Sequence, residues 1–226
     1  MTSPESLSVD VPGSGPVSAL CMTPPDARTG YVFAHGAGAG MTHAFMSALS
    51  DELAQRRVAT LRFQFPSMQQ GRKRPDTPAV AQAAVRAAVA QAQRRWPDLP
   101  LFAGGKSFGG RMTSQAQAAS PLPGVRGLVF VGFPLHLAGK PGVARAAHLA
   151  QVAVPMLFLQ GTRDALADLD LLRQVVGPLA PRATLALEDD ADHAFHVRVR
   201  SGRTDAEVLA SLAGTIAAWC AAPAGR

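Results

Sequence analysis

Three residues far apart in the chain have the types that acyl transfer needs: Ser107, Asp164 and His193. Ser107 lies in Gly104-Gly105-Lys106-Ser107-Phe108-Gly109-Gly110, where Gly105, Ser107 and Gly109 meet the G-x-S-x-G spacing of a sharp strand-to-helix turn. Such a turn pushes the hydroxyl out above the sheet, and a side chain larger than hydrogen at Gly105 or Gly109 would collide with a neighbouring strand or helix. The helix that follows aims free N–H groups and the positive end of its dipole at whatever the serine attacks. A serine hydroxyl is a weak nucleophile, so a base must take its proton and an acid must orient the base. By itself the pentapeptide fits a glycine-rich turn with a surface serine equally well, and the other groups have to decide.

The elements that would position these groups can be read in outline. Pro100–Ala103 is a short apolar run that reads as a buried strand, and Arg111–Ala119 reads as a helix, so Ser107 has strand, turn and helix around it. Val17–Met22, Tyr31–Ala34, Val58–Phe63, Gly127–Val131, Pro155–Leu159 and Ala183–Leu187 read as further strands. His43–Arg57, Thr77–Trp96, Leu169–Val176 and Asp205–Cys220 read as helices, and Phe65–Asp76 as a loop. Strands alternating with helices predict a mainly parallel sheet covered on both faces, which binds ligands at the carboxyl ends of its strands. One strand runs into Gly161-Thr162-Arg163-Asp164 and another into Asp189-Asp190-Ala191-Asp192-His193, which places all three residues on that edge. The chain order Ser, Asp, His is the one expected of an α/β-hydrolase.

Each role has rivals. Asp168 and Asp170 stand at the start of the next helix, where capping suits them better, and His196 lies further from its strand end than His193. Asp192 reads as a loop residue, and His43, His136 and His148 as surface or loop histidines. An oxyanion needs backbone N–H donors in a loop of small residues that the substrate can approach. His35-Gly36-Ala37-Gly38-Ala39-Gly40 follows a strand and supplies one: Ala37 and Phe108 are the expected donors, and His35 reads as a histidine that ties the loop down. The same loop does not suit a dinucleotide, because Met41 stands where G-x-G-x-x-G needs glycine, and no Walker Lys-Ser or Lys-Thr follows.

At 226 residues and 23.5 kDa, with 47% hydrophobic residues, the chain suits a single domain spanning residues 1–226, with residues 1–12 expected to fray. The formal charge of +6 and a pI near 10.3 invite a nucleic-acid reading. The basic residues are scattered in pairs such as Arg56-Arg57 and Arg94-Arg95, and Tyr31 is the only tyrosine, so no aromatic-interleaved basic stripe exists and no nucleic-acid partner is expected. No long uncharged apolar run and no basic leader appear, and Cys21 and Cys220 match no metal or redox spacing. A cytoplasmic protein with reduced thiols, no membrane association, no metal and no cofactor is expected, its oligomeric state left open.

His35–Gly40, Arg62–Pro66, Gly71–Pro75, Gly105–Arg111, Gly161–Asp164 and Ser201–Arg203 together resemble the small α/β-hydrolase family labelled dienelactone-hydrolase-like, from about Tyr31 onward. The resemblance implies the α/β-hydrolase fold with little or no cap, consistent with the short stretch between Val131 and Pro155. It also implies a Ser107-His193-Asp164 serine hydrolase acting on small esters or thioesters through an acyl-enzyme. The chain departs from the family's pattern after the acid and the base, where Ala165-Leu166 and Ala194-Phe195 replace Pro-Phe and Asp-Leu. The family's eukaryotic relatives include a chromatin-complex subunit, so the alternative is an inactive interaction protein on the same fold. Lys106 and Arg111 beside the serine, and Arg72, Lys73 and Arg74 in another edge loop, read either as solvated charge or as contacts for an anionic ester.

Overall fold

The computed structural model describes residues 3–222. Its strands are β1 (Glu5–Val11), β2 (Gly15–Met22), β3 (Thr29–Ala34), β4 (Val58–Phe63), β5 (Leu101–Lys106), β6 (Val125–Val131), β7 (Met156–Gly161) and β8 (Ala183–Glu188). They form one eight-stranded sheet in the order β1-β2-β4-β3-β5-β6-β7-β8. β2 pairs antiparallel with both β1 and β4, and every other neighbouring pair is parallel. The helices are α1 (Ala44–Gln55), α2 (Pro66–Gln69), α3 (Pro78–Arg95), α4 (Phe108–Ala119), α5 (Leu169–Val176) and α6 (Asp205–Ala221).

Because the strands are covered on both faces, β3, β4 and β7 are buried at every position rather than at alternate ones. The two faces carry separate cores. One gathers the small buried stripe of α3, Ala81, Ala84, Val85, Ala88, Val89 and Ala92, with Met112 of α4 and Leu172 of α5. The other gathers Met46, Leu49 and Leu53 of α1 with Val208, Leu212 and Ile216 of α6. α3 begins with Pro78 and ends with Arg94 and Arg95 in its last turn, so its ends follow from local chemistry.

Several boundaries moved for tertiary reasons. Met1 and Thr2 lie outside the described residues, and the expected frayed end from Glu5 onward is instead β1. Its Val9 and Val11 are 2% and 1% exposed and join the first core, and full burial of a valine contributes about 1.5–3 kcal/mol. β5 runs on through Gly104 and Gly105, which are poor strand formers alone but pair here with β3 and β6. The loop after β4 contains α2, opened by Pro66, and is closed by Ser67 N–H donating to Asp76 Oδ2 at 2.8 Å. Between β6 and β7 only a 3-10 stretch, Ala144–Gln151, forms, so the strand ends are left without a lid domain. Among the described residues no helix is long and apolar enough to cross a membrane.

Candidate active site

Ser107 occupies the single residue between β5 and α4, with φ 50° and ψ −113°. A non-glycine residue at positive φ is strained, and here the surroundings hold it: Ser107 N–H donates to Val131 O at 3.1 Å, and Arg111 N–H to Ser107 O at 3.1 Å. The flanking glycines permit the close approach. A Cβ at Gly105 would lie 2.3 Å from Ala34 O, and one at Gly109 2.5 Å from the same oxygen. Thr113, one turn into α4, donates to Gly109 O at 2.9 Å and so ties the helix start.

Asp164 follows β7 and has a fully buried side chain, while that of His193, after β8, is 26% exposed. His193 Nδ1–H donates to Asp164 Oδ2 at 2.6 Å, and Ser107 Oγ–H can donate to His193 Nε2 at 2.9 Å. The carboxylate takes two more hydrogen bonds, from Gln160 Nε2 at 2.5 Å and from Leu166 N–H at 2.8 Å. With only acceptor atoms, the ionised carboxylate requires the Nδ1–H tautomer of His193, which leaves Nε2 free to accept the serine proton. Gln160 had no signal in the sequence. It is a buried strand residue whose other end accepts Phe133 N–H at 2.9 Å, locking its amide orientation toward Asp164.

Of the rivals, Asp168 caps α5 by accepting Leu171 N–H at 3.0 Å, and Asp192 accepts the N–H groups of Ala194 and His196 inside its own loop. His196 pairs with Asp205 at 2.9 Å on the surface. His43 caps α1, accepting Phe45 N–H at 3.3 Å. Two histidines read as surface or loop groups prove to be structural. His136 is 7% exposed, donates from Nδ1 to Leu137 O at 2.8 Å and accepts Asp168 N–H at 2.8 Å, because the chain after β6 folds back over the strand ends. His148 Nε2 lies 2.7 Å from Ser114 Oγ on α4. Burial and the neighbouring Arg111 push its pKa down to about 4.

His35 ties down the loop after β3: its Nδ1–H donates to Gly36 O at 2.7 Å and its Nε2 accepts Phe65 N–H at 3.1 Å. Burial lowers its pKa, which favours the neutral ring that both bonds require. Gln64 Oε1 accepts Met41 N–H at 3.0 Å, and the buried Arg62 donates to Met41 O at 2.9 Å, so the loop is held from both sides. The N–H groups of Ala37 and Phe108 donate to no other described residue. Both residues line one open cleft, whose other walls are His35, Gly38, Phe65, Ser67, Met68, Arg72, Lys73 and Pro75.

The basic residues divide. Arg72 lines that cleft, although its guanidinium pairs with Asp76 Oδ1 at 3.2 Å. Arg111 lies 5.9 Å from the centroid of the Phe108 ring, and its buried Nε has no hydrogen-bond partner among the described residues. Lys106, read either as solvated charge or as a contact for an anionic ester, donates its ammonium to the carbonyl oxygen of His193. Among the described residues no cluster of three or more His, Cys, Asp or Glu side chains converges as a metal site would require.

A mainly parallel sheet with a serine on the strand-to-helix turn after β5, and an acid and a histidine after later strands, defines the α/β-hydrolase class. The chain belongs to the alpha/beta hydrolase domain family, whose model matches residues 27–221. It is similar in structure to a lidless α/β serine hydrolase from Xanthomonas campestris, at 22% identity and TM-score 0.75, covering 99% of this chain and 98% of that one. A dienelactone hydrolase from Anabaena variabilis is similar at 20% identity and TM-score 0.75, with 96% of each chain covered. An esterase domain from Rhodothermus marinus matches at 15% identity and TM-score 0.72, covering 96% of this chain and 97% of that one. At these identities the likeness is one of fold.

Proposed function

We propose that the chain is a serine hydrolase that cleaves small ester or thioester substrates through an acyl-enzyme on Ser107. The observation that carries the reading is the continuous hydrogen-bond chain from buried Asp164 through His193 to Ser107, at 2.6 and 2.9 Å, ending on a residue held at positive φ. In this mechanism His193 Nε2 takes the hydroxyl proton as Oγ attacks the carbonyl, then returns it to the leaving alcohol or thiol. Asp164 stabilises the imidazolium that forms between those steps. Water, deprotonated by His193, releases the acyl group and restores Ser107.

The N–H groups of Ala37 and Phe108 hold the developing oxyanion, each contributing on the order of 10²–10³ in turnover by comparison with measured donors of this kind. No metal or organic cofactor takes part. The open cleft favours small substrates over long lipids, which need a closing cover. Arg72 and Lys73 in its wall, with Arg111 5.9 Å from the centroid of the Phe108 ring, favour a substrate with an anionic group. The names of similar proteins, a dienelactone hydrolase and an esterase domain, agree with ester or lactone chemistry.

The test is labelling by a fluorophosphonate probe together with turnover of p-nitrophenyl acetate and butyrate. Labelling and turnover are expected in the wild type and lost in Ser107→Ala and His193→Ala. A folded wild type that neither labels nor turns over would replace this reading with that of an interaction protein on a hydrolase fold.

A further inference from the structure

Lys106 is the last residue of β5 and immediately precedes Ser107, yet its side chain serves a different part of the site. Its ammonium donates to the carbonyl oxygen of His193, across 87 residues of chain. It also lies 5.2 Å from the centroid of the Phe195 ring and 5.8 Å from that of Phe45, two rings stacked on each other at 5.9 Å. Gly132, just past β6, closes the space: a Cβ there would stand 3.0 Å from Lys106 Nζ and 3.5 Å from His193 Cε1.

The loop that Lys106 touches needs such a brace. Between Ala191 and Val197 the loop is held by one isolated bridge, by Asp192 N–H on His196 O at 3.0 Å and Phe195 N–H on Asp192 O at 2.9 Å, and by Ala194 and His196 on the Asp192 carboxylate, with Phe195 at positive φ, but none of these bonds is made by His193 itself. Nothing else reaches the His193 carbonyl among the described hydrogen bonds. A base displaced by about 1 Å can lose on the order of 10²-fold in rate, so the group that fixes the backbone of the base also fixes turnover.

We infer that Lys106 is a positioning residue: its charged ammonium, bound to the His193 carbonyl and caged by Phe45 and Phe195, holds the His193 imidazole over Ser107. The inference rests on the hydrolase reading. Asp164 and Asp192 are the acidic groups whose charge favours the ammonium, but burial outweighs them and brings its pKa down to about 8. A neutral amine donates a weaker hydrogen bond and loses its attraction to the rings. Activity therefore falls as pH rises through about 8. The titration of Lys106 does not itself unfold the protein. From about 8 to the ordinary 10.5 the unfolded chain binds the extra proton, so this group's contribution to stability rises with pH while activity falls.

The experiment measures kcat and KM for p-nitrophenyl acetate from pH 6 to 10 in wild type, Lys106→Met and Lys106→Arg, and follows the His193 ring resonances by NMR in each. Lys106→Met is expected to lose about 10–100-fold in kcat with KM changed less than about threefold. Lys106→Arg, which keeps its charge at every pH used, is expected to exceed Lys106→Met by about tenfold and to lack the alkaline fall. In the wild type the His193 resonances should move with a titration near pH 8 that is missing from both variants. Equal kcat in wild type and Lys106→Met, an alkaline fall retained in Lys106→Arg, or His193 resonances indifferent to the titration would each overturn the inference. If the wild type turns over no ester, the hydrolase reading fails, and the NMR titration alone decides whether Lys106 holds His193. The same titration decides if Lys106→Met does not fold.

Discussion

At the scale of single residues, the candidate site depends on atoms that orient other atoms. Asp164 is useful only because its two oxygens are fully committed, one to Leu166 N–H and the other to Gln160 and His193. Gln160 is therefore expected to matter without touching substrate. Gln160→Met keeps the side-chain length but strands Phe133 N–H and removes one donor from the carboxylate. Leaving buried polar groups unpaired costs about 1–3 kcal/mol, measurable by urea denaturation. The freed carboxylate also lets the imidazole rotate, so kcat for p-nitrophenyl acetate should fall by roughly tenfold, equivalent to about 1.4 kcal/mol of barrier. A variant with unchanged kcat would show that Leu166 N–H and His193 alone suffice.

The elements set how closely those atoms can approach. α4 meets β3 backbone to backbone at Gly109, where a Cβ would lie 2.5 Å from Ala34 O and 2.6 Å from His35 O. Neither oxygen can yield, since each belongs to the main chain beside the candidate oxyanion loop. Gly109→Ala should therefore destabilise by at least about 1–3 kcal/mol, the usual cost of overpacking, with loss of probe labelling. Gly142→Ala is the control: its Cβ would meet nothing within 4 Å, and the change in urea midpoint should correspond to less than about 0.5 kcal/mol.

For the whole molecule, the sheet edge and the pH response give two further expectations. β1 closes the sheet on one side, so Val9→Ala should cost about 2 kcal/mol from lost burial and the cavity left behind. Ser8→Ala, on the exposed side of the same strand, should cost almost nothing in the same denaturation assay. A frayed terminus would make both substitutions silent. The second expectation concerns acid. His148 is neutral in the folded protein down to about 4, whereas the unfolded chain takes up its proton near 6.5. Between these values the unfolded state binds more protons, so stability is lost as pH falls from about 6.5 toward 4. His148→Gln, which can keep a hydrogen bond to Ser114, should flatten that part of a thermal-melt series against pH.

What the sequence determined was local. Apolar runs, capping residues and glycine turns depend on near neighbours, so the alternation of strands and helices, α5 at Leu169–Val176 and β4 at Val58–Phe63 could be read directly. So could the placing of Ser107, Asp164 and His193 just past strand ends, since parallel connections bring successive strand ends to one edge. The partner of a polar side chain is not a local property. Lys106 beside the serine read either as solvated charge or as a substrate contact, and packing set its ammonium on a carbonyl 87 residues away. Gln160 was one polar residue in an apolar strand until folding set it against Asp164 and Phe133. His136 became buried and His148 half-buried against Ser114 when the chain after β6 closed over the strand ends, and β1 became a strand only because β2 offered it an unpaired edge. In each case hydrogen bonds or apolar contacts with residues distant in the chain offset the cost of taking a group out of water, a balance that exists only after the tertiary contacts form.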